Sequence, residues 1–246
     1  MKLYLNETTY FDTSEGIDIS IPIGEPQHGA RAWYVDYPVI EPVRANGYIG
    51  SVEEGGSVNF RNIFFNPHGN GTHTECLGHI TSEVFSINTY LKEFFFEALL
   101  VTVQPEKQTN GDWVITQNIL EKSVGNTTAQ ALVVRTLPND LNKLSVDYST
   151  TNPPYFDVNC IEILDRMGVE HLLIDLPSVD RESDNGVLAM HHAFWQVPEN
   201  PQYHKTITEF VFVPSNVLDG RYVLNLQVAP FVNDASPSRP VLYALK

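Results

Sequence analysis

The sequence predicts an α/β fold built on a mixed β-sheet, and three observations lead to it. Two apolar runs between Leu99 and Val134 enclose a segment, Val114 to Lys122, that we expect to be helical. The same order returns where a helix beginning after Asp157 leads to the apolar run His171 to Ile174. From Ile207 onwards the chain is rich in β-branched and aromatic residues. Strands separated by helices indicate parallel pairing, and strands that follow one another directly indicate antiparallel pairing.

The first elements are short. Ile17 to Ile21 alternates apolar and polar residues before Pro22, which predicts a half-buried strand ending at a turn. Val58 to Phe65 is a second β-rich run, and a histidine-rich segment follows it directly. Asn88 to Leu100 spaces its apolar residues by three and four, but its aromatic content leaves helix and strand open. Leu99 to Val103 has the composition of a buried strand.

The middle of the chain continues this pattern. Val114 to Lys122 is the predicted helix between the strand at 99–103 and the next apolar run, Ala131 to Val134. Asn139 to Tyr155 is polar and rich in turn residues, which predicts a surface loop. Asp157 suits the N-cap and Gly168 the C-cap of the following helix. We find no repeat or composition break and expect one domain over residues 1–246.

Composition and charge exclude several classes of function. Hydrophobic residues make up 42% of the chain, yet no run approaches the roughly 18 apolar residues of a membrane span. Thirty acidic against fifteen basic residues give a net charge of -15 without a basic cluster, so nucleic acid is a poor partner. An anionic substrate would need a local positive group. Without a signal sequence we expect a cytoplasmic protein, with Cys76 and Cys160 reduced.

A cluster of ionisable residues follows the second β-rich run. His68, His73, Glu75 and His79 lie within twelve residues, around a Gly-Asn-Gly turn. In an extended stretch, residues two apart share one face, so His73 and Glu75 can point together, and the turn can return His68 to them. Imidazole and carboxylate suit zinc, manganese or iron. The cluster predicts a metal site, although histidines can also lie in a glycine-rich loop without binding a metal.

This cluster resembles the signature H-x-G-T-H-x-D-x-P-x-H of the cyclase family of metal-dependent hydrolases. The best-known members of that family are bacterial kynurenine formamidases, arylformamidases of tryptophan catabolism. Further segments of the chain match the family in its order. They are IDISIPI (17–23), Trp33 with Asp36 and Pro38, VVRT (133–136), IDLPSVD (174–180), AMHHA (189–193), ITEFVFV (207–213) and DASPSRPVLY (234–243).

The resemblance implies a swivelling β/β/α architecture and a divalent metal centre of one or two ions, zinc in the first place and manganese as the alternative. His68, His73 and Glu75 would hold one ion, and Glu75 would share a second with His191 and Glu209. His79 would be the acid–base residue, and Trp33 would contact an aromatic substrate. His191 rather than His192 is our choice, because the family keeps the first position of this pair.

The implied activity is hydrolysis of a formamide or related amide by metal-activated water. The resemblance also implies a small-molecule substrate and a homo-oligomer of two or more subunits, whereas charge and composition are what indicate no nucleic-acid or membrane partner. Two alternatives stay open: a member that hydrolyses a cyclic amide, and a degenerate member that binds metal or ligand without turnover.

The chain departs from the family pattern at several positions. One extra residue separates His68 from His73, so the loop must bulge if His68 is to reach the metal. Glu75 stands in place of Asp, and Leu77 in place of Pro. The segment between His191 and Glu209 is several residues longer than in the family. Because carboxylate replaces carboxylate and every imidazole is retained, we expect a rebuilt site rather than a lost one.

Three other residues are candidates for a functional role. Cys76 could be a thiolate ligand, but alternation points it away from Glu75, so we expect it to be packed in the core. Ser178 is not in a G-x-S-x-G nucleophile elbow, and we interpret it as a turn residue. Arg135, at a strand end, could pair with a substrate carboxylate, but a structural ion pair is the more common use.

Overall fold

A nine-stranded mixed sheet forms the centre of the computed structural model, which describes residues 1–246. Across the sheet the strands are Ala235–Pro237, His73–Glu75, Thr206–Glu209, His171–Ile174, Ala131–Thr136, Phe95–Val103, Gly220–Asn225, Val241–Ala244 and Ile17–Asp18. The four strands from Thr206–Glu209 to Phe95–Val103 pair in parallel, and the remaining pairs are antiparallel. The single α/β domain with a mixed sheet is therefore as predicted.

Both faces of the central strands are covered. Helices Gln117–Val124, Ile161–Met167 and Ala189–Trp195 pack on one face, where Leu99 and Val101 join a core of 24 buried residues. The alternate residue Leu100 belongs to a second core of 17 residues on the other face, beside the short helix Ile87–Tyr90. Strands buried on both faces read as continuous apolar runs, which is why residues 99–103 and 131–134 were recognisable.

The predicted strand–helix–strand unit is confirmed, but the start of its helix is wrong. Phe95–Val103 and Ala131–Thr136 pair in parallel on either side of the helix. Val114 and Ile115, assigned to the helix, lie in the strand Trp113–Ile115. The reason is local: these β-branched residues pair with neighbouring strands, and the Thr116 side chain then accepts a hydrogen bond from Ile119 N as N-cap.

The second predicted helix, which begins after Asp157, has the caps that the sequence predicts. The Asp157 side chain accepts from Asn159 N, although the first turn, Val158–Cys160, is a 3-10 helix that continues as Ile161–Met167. Gly168 ends the helix in the left-handed conformation with φ 74°. His171–Ile174 is a fully buried strand, as predicted.

Three other segments differ from their sequence patterns. Asn88 to Leu100, left open, divides into the helix Ile87–Tyr90 and the strand Phe95–Val103. Only Ile17–Asp18 of the first predicted strand is regular, although Ile19 and Ile21 are buried. The surface segment 139–155 contains a 3-10 helix, Leu141–Leu144, and Tyr155 opens the strand Tyr155–Phe156. Short elements of this kind have too few residues to show a period.

An antiparallel arm at residues 39–64 stands apart from the central sheet. Val39–Pro42 pairs with Arg61–Phe64, and Arg44–Ala45 pairs with Tyr48–Ile49. The β-rich run at 58–65 thus forms a strand of only four residues, all exposed, outside the main sheet. Two further small sheets join Lys2–Tyr4 to Tyr10–Asp12, and Glu106–Lys107 to Trp113–Ile115 and Tyr155–Phe156.

Both cysteines agree with expectation. Cys76 and Cys160 are free and buried. The Cys76 thiol donates to Phe85 O at 3.2 Å and lies in the second core. No helix of the protein is both long and apolar enough to cross a membrane.

A buried histidine in this fold predicts acid sensitivity. His171 is 3% exposed and its Nδ1 bonds Thr206 Oγ1 at 2.8 Å. Burial, with a smaller contribution from His204, lowers the pKa of His171 from 6.5 to about 4. The unfolded chain therefore binds a proton at a higher pH than the folded protein does. The stability that His171 contributes is complete above pH 6.5 and falls by about 3 kcal/mol as the pH drops to 4.

Replacing this histidine should flatten that dependence. His171→Gln should lose about 3 kcal/mol less unfolding free energy than the wild type between pH 7 and pH 4. Urea titrations at several pH values measure it, with the exposed His28→Gln as control. Equal pH slopes for wild type and His171→Gln would contradict the prediction.

Candidate metal centre

Three of the predicted ligands share one face of two paired strands. His73 and Glu75 lie two residues apart on the strand His73–Glu75. This strand pairs antiparallel with the strand Thr206–Glu209, and in that register Glu209 lies opposite His73. Directly opposed residues bring their side chains together. His73 Nε2 is 3.4 Å from Glu209 Oε2, and all three residues are buried.

The longer loop returns His68 to the cluster. His68 Nδ1 lies 2.9 Å from Glu75 Oε2, so the extra residue is absorbed in the loop. Gly71 turns the chain with φ 66°, where a Cβ would lie 3.0 Å from Ile21 O. The Asn66 side chain accepts from His68 N and Gly69 N, which fixes the start of the turn.

His191 reaches the cluster from the helix Ala189–Trp195. Its Nε2 lies 3.1 Å from Glu75 Oε1, while its Nδ1 donates to Asp180 Oδ2 at 2.6 Å. Asp180 also accepts from the backbone N–H groups of Met190 and His191 and so anchors the start of the helix. The neighbouring His192 turns away and donates to Val197 O.

His79 lies at the edge of the cluster, at the end of the 3-10 helix Leu77–His79. Its ring stacks on that of His68 with centroids 4.2 Å apart. Its Nε2 is 3.9 Å from Glu75 Oε2, and its Nδ1 is 3.6 Å from Asp234 Oδ2. Its side chain is 31% exposed, which gives this histidine access to the cleft.

The donor atoms form two groups that share Glu75. Those of His68, Glu75 and His79 lie within 4.8 Å of one another, and so do those of His73, Glu75 and Glu209. The grouping implied by the resemblance differs, since it placed His68 with His73 and gave His79 no metal. Convergence of the six side chains is a finding of the structure; the role of each stays a prediction.

Two buried atoms in the cluster lack hydrogen-bond partners, and this observation tests the fit to a metal. His73 Nδ1 donates to Gly71 O, while Nε2 is buried and has no hydrogen-bond partner. Glu75 Oε2 is also unpaired, since its approach to His68 lacks the alignment of a hydrogen bond. Uncompensated buried polar atoms are costly, and a divalent cation accepts both kinds of donor. The residues therefore fit a metal ion.

The charges of the cluster are strongly coupled. Burial opposes ionisation of Glu75, but His79, His191 and His68 outweigh it and hold the pKa of Glu75 well below its usual range. Burial and then the charge of Glu75 raise the pKa of Glu209. Burial would lower the pKa of His191, yet Asp180 and Glu75 raise it to about 10. A metal ion would take the place of these protons, since it binds neutral imidazole.

Two carboxylates that support the histidines were missed by the sequence reasoning. Asp180 holds His191, and Asp234 Oδ2 lies 2.7 Å from His68 Nε2. Carboxylates behind metal-binding imidazoles fix ring orientation and tautomer. Both residues lie in segments that matched the family, IDLPSVD and DASPSRPVLY, so the segments signalled importance without indicating which side chain mattered.

The other sequence candidates are resolved by their contacts. Arg135 bonds Asp219 at 2.8 Å and the carbonyls of Pro214 and Val217, so it forms a structural ion pair. Ser178 is buried, and its hydroxyl accepts from Asp180 N at 3.0 Å, as in a turn. Trp33 lines the cleft above the cluster.

The cluster opens into a cleft of about 630 Å³. His68, His79, His191 and Glu209 form part of its wall. The segment from Arg181 and Glu182 to Leu188 forms much of the remaining wall. Most of the residues that line the cleft are polar. The cleft is large enough for a small organic molecule to reach the histidines.

Comparisons with known proteins show which family and which fold the chain resembles. The model of the Cyclase family, described as "Putative cyclase", matches residues 17–181. No curated protein matches the sequence.

Among solved structures, a "potential metal-dependent hydrolase with cyclase activity" has a TM-score of 0.65 at 16% identity, covering 93% of this chain and 97% of its own. A predicted metal-dependent hydrolase from Bacillus stearothermophilus gives 0.60 at 15% identity, covering 93% and 98%. Isatin hydrolase A from Labrenzia aggregata gives 0.64 at 14% identity, covering 94% and 93%. These similarities show a shared fold.

Proposed function

The chain belongs to the Cyclase family and has the fold of solved metal-dependent hydrolases, and from that premise we propose that it hydrolyses the C–N bond of a formamide or related amide. One observation carries the proposal. Glu75 lies buried at the contact of two groups of ligand-type side chains, directly beneath an open cleft.

The donor set favours zinc, with manganese as the alternative. His73 and His191 direct Nε2 inward while Nδ1 donates to a carbonyl or carboxylate, the arrangement of metal-binding imidazoles. His68, His73, Glu75, His191 and Glu209 would hold one or two ions. When bound, such an ion lowers the pKa of its water towards about 7 and polarises a carbonyl.

The chain's own residues orient the substrate and move the proton. His79, partly exposed on the cleft wall, would take a proton from the attacking water and deliver it to the leaving nitrogen. Asp234 faces both His79 and His68 and would keep the two rings aligned. Trp33 would contact the aromatic part of an arylformamide.

A cyclic amide is the second candidate substrate, favoured by the isatin hydrolases among the structures of similar fold. Ring opening requires the same attack on an amide carbonyl and the same protonation of nitrogen. In the third alternative, which is not an enzyme, the cluster would bind metal or ligand without turnover.

Reconstitution separates these functions. Chelator-treated protein receives Zn²⁺ or Mn²⁺, and hydrolysis is then measured with formanilide as the open amide and isatin as the cyclic one. We expect metal-dependent release of the amine from formanilide. Hydrolysis of isatin alone would shift the function to cyclic amides. Metal binding without turnover of either substrate would support the binding module.

We also propose that the chain forms a homo-oligomer through its arm at residues 39–64. This tenth of the chain carries eight of the 24 large exposed hydrophobic side chains, among them Phe60 and Ile63. A two-stranded ladder is marginally stable alone, and a second copy offers an identical free edge for pairing. Because the arm ends two residues before Asn66 and four before His68, the contact would adjoin the cleft.

Light scattering after size exclusion tests this proposal. We expect the wild type to be a dimer or larger and Ile63→Glu, at a side chain exposed by 57%, to be monomeric, because a charge would be buried in the contact. Val84→Glu, exposed elsewhere, is the control. A monomeric wild type would exclude the assembly.

A further inference from the structure

The apolar lining of the cleft comes from two separate segments. Trp33 and Val35 precede the arm, and Leu188 precedes the helix that carries His191. The other lining residues are polar or glycine. The separation of these two segments therefore sets the space that a non-reacting apolar group of a substrate can occupy above the cluster.

The Glu182 side chain connects the two segments. It lies on the same stretch as Leu188, and its Oε1 accepts from Tyr34 OH at 3.3 Å, next to Trp33. Oε1 also accepts from Thr150 N, and Oε2 accepts from Asn152 N at 2.7 Å. We call Glu182, Tyr34, Thr150 and Asn152 the Glu182 cluster.

A second carboxylate fixes the Glu182 cluster from behind. Asp112 is 3% exposed and accepts from Arg181 Nε at 2.9 Å and from Asn152 Nδ2 at 2.8 Å. Asn152 thus binds Glu182 through its backbone and Asp112 through its side chain. Arg181, the neighbour of Glu182, is held by the same carboxylate, so the cluster has little freedom to shift.

All three donors to Glu182 belong to residues in the left-handed conformation. Their φ angles are 58° for Tyr34, 67° for Thr150 and 46° for Asn152, and Trp33 has φ 61°. Non-glycine residues adopt this conformation uncommonly, and strained backbone of this kind concentrates at functional sites. The Glu182 carboxylate is the contact that these three residues share, through the backbone N–H groups of Thr150 and Asn152 and the hydroxyl of Tyr34.

We propose that Glu182 is a specificity-determining positioning residue: it fixes the Trp33 side of the cleft relative to Leu188, so that the cleft takes a flat aromatic amide and rejects a branched one. This rests on the proposed function. A fixed wall bearing an indole face favours a planar ring, which stacks, over a bulky group, which needs the segments to separate.

Two variants test the Glu182 cluster with little risk to folding. Tyr34→Phe removes one exposed hydroxyl, and Glu182→Gln keeps the volume while placing an amide N–H against a backbone donor. Substrates are formanilide, N-formyl-tert-butylamine and formamide. We expect KM for formanilide to rise about tenfold in Glu182→Gln and less in Tyr34→Phe, as for loss of hydrogen bonds to a charged group. We expect kcat and the turnover of formamide to change by less than about twofold, since those lost bonds do not reach the reacting centre.

We expect the ratio of kcat/KM for formanilide to kcat/KM for N-formyl-tert-butylamine, the substrate preference, to be lower in Glu182→Gln than in the wild type. Exposed Glu53→Gln is the control and should keep the wild-type preference. An unchanged preference in Glu182→Gln would overturn the proposal. So would an equal loss of kcat with all three substrates, because Glu182 would then act on the reacting centre rather than on substrate shape.

A second measurement does not depend on activity. In a Trp113→Phe background, only Trp33 and the fully buried Trp195 remain. Glu182→Gln should increase acrylamide quenching of Trp33 fluorescence, because the wall that carries Trp33 is released. If the wild type hydrolyses no amide, the proposed function fails, while increased quenching still supports the Glu182 cluster and unchanged quenching overturns it.

Discussion

Glu75→Gln is expected to lower metal affinity by about 10²- to 10⁴-fold and amide hydrolysis by at least as much. Glu75 is fully buried and meets His68, His191 and His79. Glutamine keeps the volume but removes the negative charge that both groups of donors share. Removing one partner of a buried charge pair costs about 3 to 5 kcal/mol, which corresponds to this loss of affinity.

Metal content after purification and a competition titration with a chelator measure the effect. Glu83→Gln, at an exposed position, is the matched control and should retain wild-type metal content. Circular dichroism of both variants shows whether the fold is kept. Wild-type affinity in a folded Glu75→Gln protein would remove Glu75 from the site, and with it the link between the two groups.

His79→Ala is expected to reduce kcat by about 10²- to 10⁴-fold, the usual contribution of a general acid–base group. Two roles compete for this residue. The resemblance makes His79 the acid–base residue, whereas its position within 4.8 Å of His68 and Glu75 donors also allows it to bind a metal. Its 31% exposure, higher than that of the other clustered histidines, favours the acid–base role.

Metal stoichiometry separates the two roles. If His79 transfers protons, the alanine variant keeps its metal while kcat falls. If His79 is a ligand, metal and activity are lost together, and the predicted role is wrong. His192→Ala is the control, since this histidine turns away to Val197 O and should leave kcat within about threefold.

The metal-binding cluster shows how far local pattern reaches. Spacing alone predicted that His73 and Glu75 share one face, because side chains alternate along a strand. The same alternation placed Cys76 in the core, where the structure has it. The extra residue before Gly71 could not be judged from spacing, because the path of a turn depends on the carbonyls that pack around it, here those of Ile21 and Ala30.

The carboxylates of Asp180 and Asp234 mark the limit of that reasoning. Each lies in a segment that matched the family, yet nothing in the sequence indicates that Asp180 contacts His191 or that Asp234 contacts His68. Asp234 is 166 residues from His68 in the chain. Only the pairing of Ala235–Pro237 with His73–Glu75 brings them together.

The sequence by itself determined the residue types of the site, the parallel units with their caps, and the continuous apolar strands, because each depends on neighbours a few positions apart. The tertiary structure decided that His191 and Glu209 converge on Glu75, that the run at 58–65 joins an exposed arm, and that Glu182 links the two walls of the cleft. These depend on strand register and helix packing, which the whole chain sets through its buried surface and which no local period encodes.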